Sequence, residues 1–301
     1  MVPITTAVFA KALWPGVKKW YGKSYNEFAT EYDKIFKTEK STKAWEEFVS
    51  ISSFGLAQQK PESEAISYDI EQQGFMDRAT HATYGLGFGV SKELVEDNQY
   101  QGTASRKAAD LAYSMRQTKE VLAANVLNRA FNVAFTYGDG VSLVSAAHPN
   151  VAGGTWSNSI AIAADISEAA LEQACIDIGK YTNDRGLRIS VRPQKLIVPV
   201  DLDFEVNKIM QTEYEVGTAN NTKNIVRSRF PGGVVVNHYL TDTDAWFIQT
   251  DVPNGLTYLE RRPDTFSMDE DFTTDNALYK ATARYSFACP DKKNVYGSAG
   301  A

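Results

Sequence analysis

Cysteine is nearly absent from this chain: Cys175 and Cys289 are the only two in 301 residues. Two thiols in separate parts of a chain build no disulfide framework, so free thiols in a reducing compartment are expected. Histidine is almost as scarce. His81, His148 and His238 are far apart, fall on different expected elements, and none has metal-ligand spacing. No H-E-x-x-H and no G-x-S-x-G occurs, and Ser145 beside the AAHPN stretch at 146–150 lacks the glycines of a nucleophile elbow. His148, just before Pro149, reads as a turn residue. No catalytic residue, metal ligand or cofactor is assigned, and the chain reads as a non-enzyme. No apolar run reaches the roughly 18 residues of a membrane span. Lys11 interrupts the apolar run near the start and no small-residue cleavage site follows, so the start reads as mature sequence with no membrane partner. A basic excess is missing too. The net charge of −6 excludes a polycation built as a whole for nucleic acid.

What is present is apolar patterning. Hydrophobic residues make up 43% and charged residues 23%, enough for a large core and two subdomains. From Ala277 to Cys289 the odd positions are Ala277, Tyr279, Ala281, Ala283, Tyr285, Phe287 and Cys289, with Lys280, Thr282, Arg284 and Ser286 between them. Period-2 alternation is the mark of a strand with one buried face, and strands usually run about 5–6 residues. A strand this long needs a long cover. Ala104, Ala108, Leu111, Ala112, Met115, Leu122, Val126 and Ala130 recur at spacings of three and four, which predicts a helix over about 103–133. Some 30 residues at about 1.5 Å each give a rod of roughly 45 Å. A long helix on a long strand is an elongated scaffold suited to tiling.

The first 23 residues hold Lys11, Lys18, Lys19 and Lys23 and no acid. This basic arm reads either as a solvated segment or as a contact to nucleic acid or an acidic partner. Residues 1–45 are expected to form short helical pieces. Ser24 and Glu27 would make a capping box, and Tyr25, Phe28, Tyr32, Ile35 and Phe36 the apolar face after it. Extended β structure is expected over 46–90, with one run at Val49 and Ile51 and a second at Ile66, Tyr68 and Ile70. Turn chemistry lies between them at Gln58 to Ser63. In HATYGLGFGV, Ala82, Tyr84, Leu86, Phe88 and Val90 form one face, while Gly85, Gly87 and Gly89 leave the other bare. The spacing argues against a phosphate loop, since the third glycine and a Lys-Ser/Thr are missing; close approach of another backbone or an aromatic explains the glycines better.

From Asp165 to about Asp251 the pattern is α/β. Ile166, Ser167 and Leu171 fit a capped and stapled helix with Leu171, Cys175, Ile178 and Tyr181 inward. Leu196–Val200 is a short buried strand, and Asp201 is placed to cap a second helix. A polar loop follows at 212–224, then strands at 234–239 and 245–249. The acidic residues Asp269, Glu270, Asp271 and Asp275 lack the order of a calcium loop and read as a solvated or salt-bridging stretch. Arg261 and Arg262 oppose them in charge.

Arm, extended β-loop, long helix, α/β domain and long terminal strand follow one another in a distinctive order. With DGVSLVSAAHPN at 139–150, LIVPVDLDFEVNKIM at 196–210, the segment 255–287 and DKKNVYGSAG at 291–300, the chain resembles the major capsid proteins of tailed bacteriophages. It is most similar to the Mu-like major head subunit, whose α+β fold is the HK97 type. The resemblance implies an N-terminal arm at 1–45 and an E-loop at 46–95. It implies a P-domain at 96–154 and 253–301 and an A-domain at 155–252. It further implies hexamers and pentamers tiling an icosahedral shell around double-stranded DNA, in a virion assembled in the bacterial cytoplasm. Gln59, Lys60, Pro61 and Glu62 would form the intersubunit tip of the E-loop. Arg261, Arg262, Asp269, Glu270 and Asp271 would pair across subunits. Tyr214, Asn220, Asn221 and Lys223 would lie near the capsomer axis. Expected partners are sister copies, a separate scaffolding protein, a portal, a decoration protein, and DNA held without sequence preference. With the arm beginning near Met1, no maturation cleavage is expected. An encapsulin-type shell that packages enzymes shares the fold and is the alternative.

Overall fold

The structure is a computed structural model that describes residues 6–27, 29–91, 93, 100–214, 222–271, 273 and 276–301, with side chains in the first two long helices only from Val17 and Ala104 onward and none for Glu270. Its largest sheet runs in the order β1 (Lys37–Lys40), β10 (Thr257–Glu270), β11 (Ala277–Ala288) and β4 (Ala82–Val90). The central pairs are antiparallel, and β1 joins β10 in parallel. Along β11 burial alternates as the sequence pattern requires: Ala277, Tyr279, Ala281, Ala283 and Tyr285 are buried, whereas Leu278 and Lys280 are exposed. That buried face receives α3 (Tyr100–Asn128), whose Ala104, Ala108, Leu111, Ala112 and Met115 join one core with it. Small residues on both sides let helix and sheet approach closely.

The helix stops five residues before the expected end. At Asn128 the side chain leaves the helix, donating to Tyr239 O at 3.1 Å and accepting from Thr241 N at 3.0 Å, and Ala130 N turns to Leu127 O. Beyond it, β5 (His148–Pro149) and β6 (Thr155–Trp156) form a two-residue ladder. Glycines 85 and 87 are required by β11: a Cβ would stand 2.9 Å from Thr282 Cγ2 at the first and 2.6 Å from Tyr279 O at the second. On the face opposite the glycines Leu86 is exposed, whereas Val90 is buried.

A second sheet, β12 (Val295–Ser298), β9 (Trp246–Thr250), β7 (Pro193–Pro199) and β8 (Val234–Asn237), carries α4 (Glu168–Gly179) and α5 (Asp203–Gln211) over its own core. Ser167 Oγ accepts from Ala170 N at 3.2 Å, the cap read from sequence. Asp201 does not cap α5. It lies in a 3₁₀ turn, Val200–Leu202, that feeds the helix, and Leu202 takes the capping position with no side-chain bond. The terminal strand β12 belongs to this sheet, so the last residues tie the two units together.

Two further expectations fail. Residues Thr6–Glu27 form one continuous α1, not short pieces, and Ser24 lies inside its last turn instead of at a cap. Packing holds the helix as one piece: Val17 and Tyr21 are buried in the main core, and Tyr21 stacks on Phe266 at 4.6 Å. A short α2 (Tyr32–Ile35) follows; Phe28 lies outside the described residues. In the loop, β2 (Trp45–Ile51) pairs with β3 (Gln73–Thr80), not with a strand at 66–70. Residues 66–70 are irregular and exposed; without a neighbour in the subunit to complete a ladder, they form no strand.

Candidate assembly interface

Beyond the β2–β3 hairpin the chain makes a long excursion. Apart from buried Ser52, every residue from Ser53 to Gln73 is exposed, including Phe54, Leu56, Ile66, Tyr68 and Ile70; Tyr68 is 95% exposed. Gln59, Lys60, Pro61 and Glu62 do lie at its tip, where Glu64 N donates to Pro61 O and Ser63 takes a positive φ of 64°. So many large apolar side chains on one water-facing segment call for a covering partner.

Both the hairpin and the excursion are tied to the body of the subunit. Asp77 of β3 pairs with Lys292 in the segment before β12, and its Oδ1 accepts from Gly138 N at 2.6 Å. Farther out, Arg185 Nη1 reaches Asp69 Oδ2 at 2.6 Å and Nη2 reaches Ile70 O at 2.5 Å. A cleft of about 580 Å³ between hairpin and body is lined by Glu47, Asp77, Asp139, Asp184, Lys292 and Lys293. It carries charges of both signs, and among the described residues no cluster of three or more potential ligands is placed to hold a metal.

The arm is pinned from below. Lys119 Nζ, 3.0 Å from Asp264 Oδ2, is enclosed by the rings of Tyr25, Tyr32, Tyr258 and Tyr285 at 5.4–5.9 Å. Tyr25 donates to the same Asp264 oxygen, and Arg116 Nη1 donates to Tyr25 O at 2.6 Å. Next to it Glu120 accepts from Glu31 N and Tyr32 N, both at 3.0 Å. Burial, and then the Asp264 charge, raise the Tyr25 phenol far above its ordinary value, so it stays a donor. This node was missed from sequence, although a signal existed: Lys119 sits four residues after Met115 and three before Leu122, on the apolar stripe itself.

His148 is no turn residue. It is fully buried, stacks on Trp156 at 4.5 Å, and shares Asp139 Oδ2 at 2.7 Å and Asn158 Oδ1 at 3.0 Å. Asn158 Nδ2 in turn donates to Leu143 O, Lys292 O and Val295 O. Both ring nitrogens are engaged and the side chain is fully buried, so the group joins elements of the fold.

Arg262 stands directly opposite Arg284 on the sheet face turned away from α3, and its Nη2 donates to Thr282 Oγ1 at 3.2 Å. Arg261 precedes it at an irregularity in β10. Asp269 is seven residues further along the same strand, roughly 23 Å away at about 3.3 Å per residue. The subunit therefore does not bring the expected opposite charges together. Glu270 has no described side chain, Asp271 follows the strand, and Asp275 lies outside the described residues. Tyr214 and Lys223 meet as an isolated antiparallel bridge at the base of the polar loop; Asn220 and Asn221 lie outside the described residues. Lys18, Lys19 and Lys23 are exposed on α1, and the Lys11 side chain is not among those described. Cys175 and Cys289 are free thiols.

No curated protein matches the sequence. A virus-like particle from Pyrococcus furiosus superposes with a TM-score of 0.55 at 10% identity, over 94% of this chain and 97% of that one. The capsid of a native GTA particle gives 0.55 at 13% identity, over 90% of each chain. A chain of Mycobacterium phage Adephagia gives 0.54 at 11%, again over 90% of each. At such identities the likeness is one of fold, and that fold is the HK97 type. The family model described as "Phage capsid protein" matches residues 76–298, from β3 to the last strand. With nearly three quarters of its length matched, the chain belongs to the phage capsid protein family, as a major capsid shell subunit.

Proposed function

We propose that this subunit forms hexamers and pentamers that tile an icosahedral shell around double-stranded phage DNA. In this reading the arm is 1–45, the E-loop 46–95, the A-domain 155–252 and the P-domain the remainder. One observation carries the reading: the excursion at 53–72 exposes five large apolar side chains that its own subunit leaves uncovered. Sister copies would bury them, and many weak contacts per subunit would add to a stable closed shell. The tip residues Gln59 to Glu62 would lie on a neighbour. The Arg261–Arg262 end of one sheet would meet the acidic Asp269–Asp271 end of another, and the loop based on Tyr214 and Lys223 would line the capsomer axis. The basic arm would face DNA.

The likeness to a head subunit of the Mu-like kind further suggests a separate scaffolding protein, a portal and a decoration protein as partners in a bacterial cytoplasm. The near full-length likeness to a virus-like particle keeps a second reading in view, a shell that packages enzymes. Ultraviolet absorbance and mass spectrometry of purified particles separate the two: nucleic acid supports the first, a co-purifying enzyme the second. The assembly reading is tested by deleting 56–64 and viewing the product by negative-stain microscopy. Soluble subunits or capsomers are expected. Normal shells from the deletion would overturn it.

A further inference from the structure

Asp69 is the node on which the long excursion turns. Its Oδ2 accepts from Gly55 N at 2.7 Å, tying together two limbs that are 14 residues apart, and from Arg185 Nη1 at 2.6 Å. Its Oδ1 accepts from its neighbour Ile70 N at 2.9 Å, and Arg185 Nη2 closes the set on Ile70 O. One guanidinium thus holds a side chain and the adjacent backbone carbonyl in a forked grip, a geometry that fixes orientation as well as distance. Gly55 fits closely here: a Cβ would stand 3.3 Å from Asp69 Oδ2 and 3.5 Å from Arg185 Nη1.

The other side of the grip is rigid. Arg185 projects from a tight turn in which Asn183 Oδ1 accepts from Arg185 N at 3.0 Å and from Leu187 N at 2.9 Å. Asn183 N reaches Leu187 O at 2.8 Å, and Gly186 takes a positive φ of 79° that L side chains rarely adopt. A turn of the α/β unit therefore grips the loop from outside the hairpin that carries it. Outward of this point, residues 56–68 make no hydrogen bond to the rest of the subunit among the described residues.

A contact of this kind could either hide the apolar strip until assembly or aim it. Exposure decides between the two. With the grip closed, Leu56 is 78%, Ile66 64% and Ile70 78% exposed, so nothing is hidden. We propose that the Arg185–Asp69 grip is a positioning strut that fixes the angle at which the loop leaves the subunit and so pre-orders it for a sister copy. This rests on the assembly reading above. Its physical advantage is entropic: a loop already ordered loses less freedom when it docks, and the saving recurs at every subunit of the shell.

The experiment compares full-length wild type, Arg185→Gln, Arg185→Lys and Asp69→Asn by two readouts. The first is amide exchange, followed by mass spectrometry, of peptides spanning 53–72 in unassembled subunits at low concentration. The second is the threshold concentration for particle formation by light scattering. Arg185→Gln and Asp69→Asn are expected to speed exchange about three- to fivefold, the scale of a well-formed exposed pair. They should raise the threshold by a similar factor or more, with Arg185→Lys intermediate because it keeps the charge but loses the fork. Unchanged exchange, or faster exchange with an unchanged threshold, overturns the strut. A lowered threshold overturns it too, because the contact would then be a restraint on assembly. These outcomes are separable from a failure of the assembly reading, in which wild type forms no particles or the 56–64 deletion forms normal ones.

Discussion

At the scale of residues, the strongest energetic commitments are buried polar groups that bridge elements. Lys119 and Asp264 have side chains only 5% and 11% exposed, so each is stable as a charge mainly because the other is present. Burial, the largest single influence, would lower the lysine, but the charge and hydrogen bond of Asp264 together with Tyr258 and Tyr32 outweigh it, and the ammonium titrates above its ordinary range. Removing one partner of such a pair typically costs about 3–5 kcal/mol, because the survivor stays buried and unpaired. Asp264→Ala should therefore destabilise the subunit by about 3 kcal/mol in denaturant titration, and Lys119→Met combined with Asp264→Leu by clearly less than the two single changes summed. Equal and additive losses would show that the pair is not coupled. Asp139 makes a pH prediction. Burial pushes its carboxyl up, but the bond from His148 and the charge of Lys292 outweigh that and leave it below the ordinary value. A carboxylate lowered on folding contributes stability that is complete above the unfolded value near pH 4 and is lost as pH falls through the folded one. Asp139→Asn should flatten the acid limb of a stability-against-pH curve below about pH 4. A curve parallel to wild type would remove Asp139 from the account of acid unfolding.

Elements were legible wherever one physical pattern dominated. β11 could be read to within a residue because alternate small and aromatic side chains meet a single helix face. The Ser167 cap was readable because its rule is local. What failed depended on partners distant in sequence. Ile66, Tyr68 and Ile70 alternate like a strand but have no ladder in the subunit, and residues 1–45 read as short helical pieces until Tyr21 and Phe266 are seen to stack across the arm. The turn of the excursion was legible, since turn chemistry marks Gln58 to Ser63, but the contacts that anchor it were not. No local rule connects Asp69 to Arg185 or Asp77 to Lys292. The close seat of α3 on β11 gives the prediction at this scale. Ala108, Ala112 and Ala281 are fully buried, leaving no room for a branched side chain. Ala281→Leu should cost about 1–3 kcal/mol by overpacking, whereas Lys280→Leu, one residue away on the exposed face, should leave the unfolding midpoint almost unchanged. Similar midpoints for the two variants would mean that the contact is looser than described.

For the whole molecule, the exposed apolar excursion and the exposed lysines of the arm helix lie on different elements. The arm helix packs on the same side of the large sheet as α3, through Tyr21 on Phe266 and Tyr25 on Asp264, and presents Lys18, Lys19 and Lys23 to solvent. Because Lys119, Asp264 and Glu120 fix the base of the arm, those charges travel with the rigid body instead of on a free tail. On a protein with a net charge of −6, a fixed basic helix is a local exception that a polyanion would find at every subunit. If that side of the sheet faces the lumen, each lysine that displaces counterions from packaged DNA adds about 0.9 to the salt slope of DNA retention. Changing Lys11, Lys18, Lys19 and Lys23 together to Gln should leave particles of normal size, since none of the three described side chains is part of the core. It should also lower the salt concentration at which DNA is released from opened shells, and flatten the release curve by up to about three to four in slope. Particles of normal size with an unaltered release curve would place the arm's charge outside DNA contact and return it to the role of a solvated helix face.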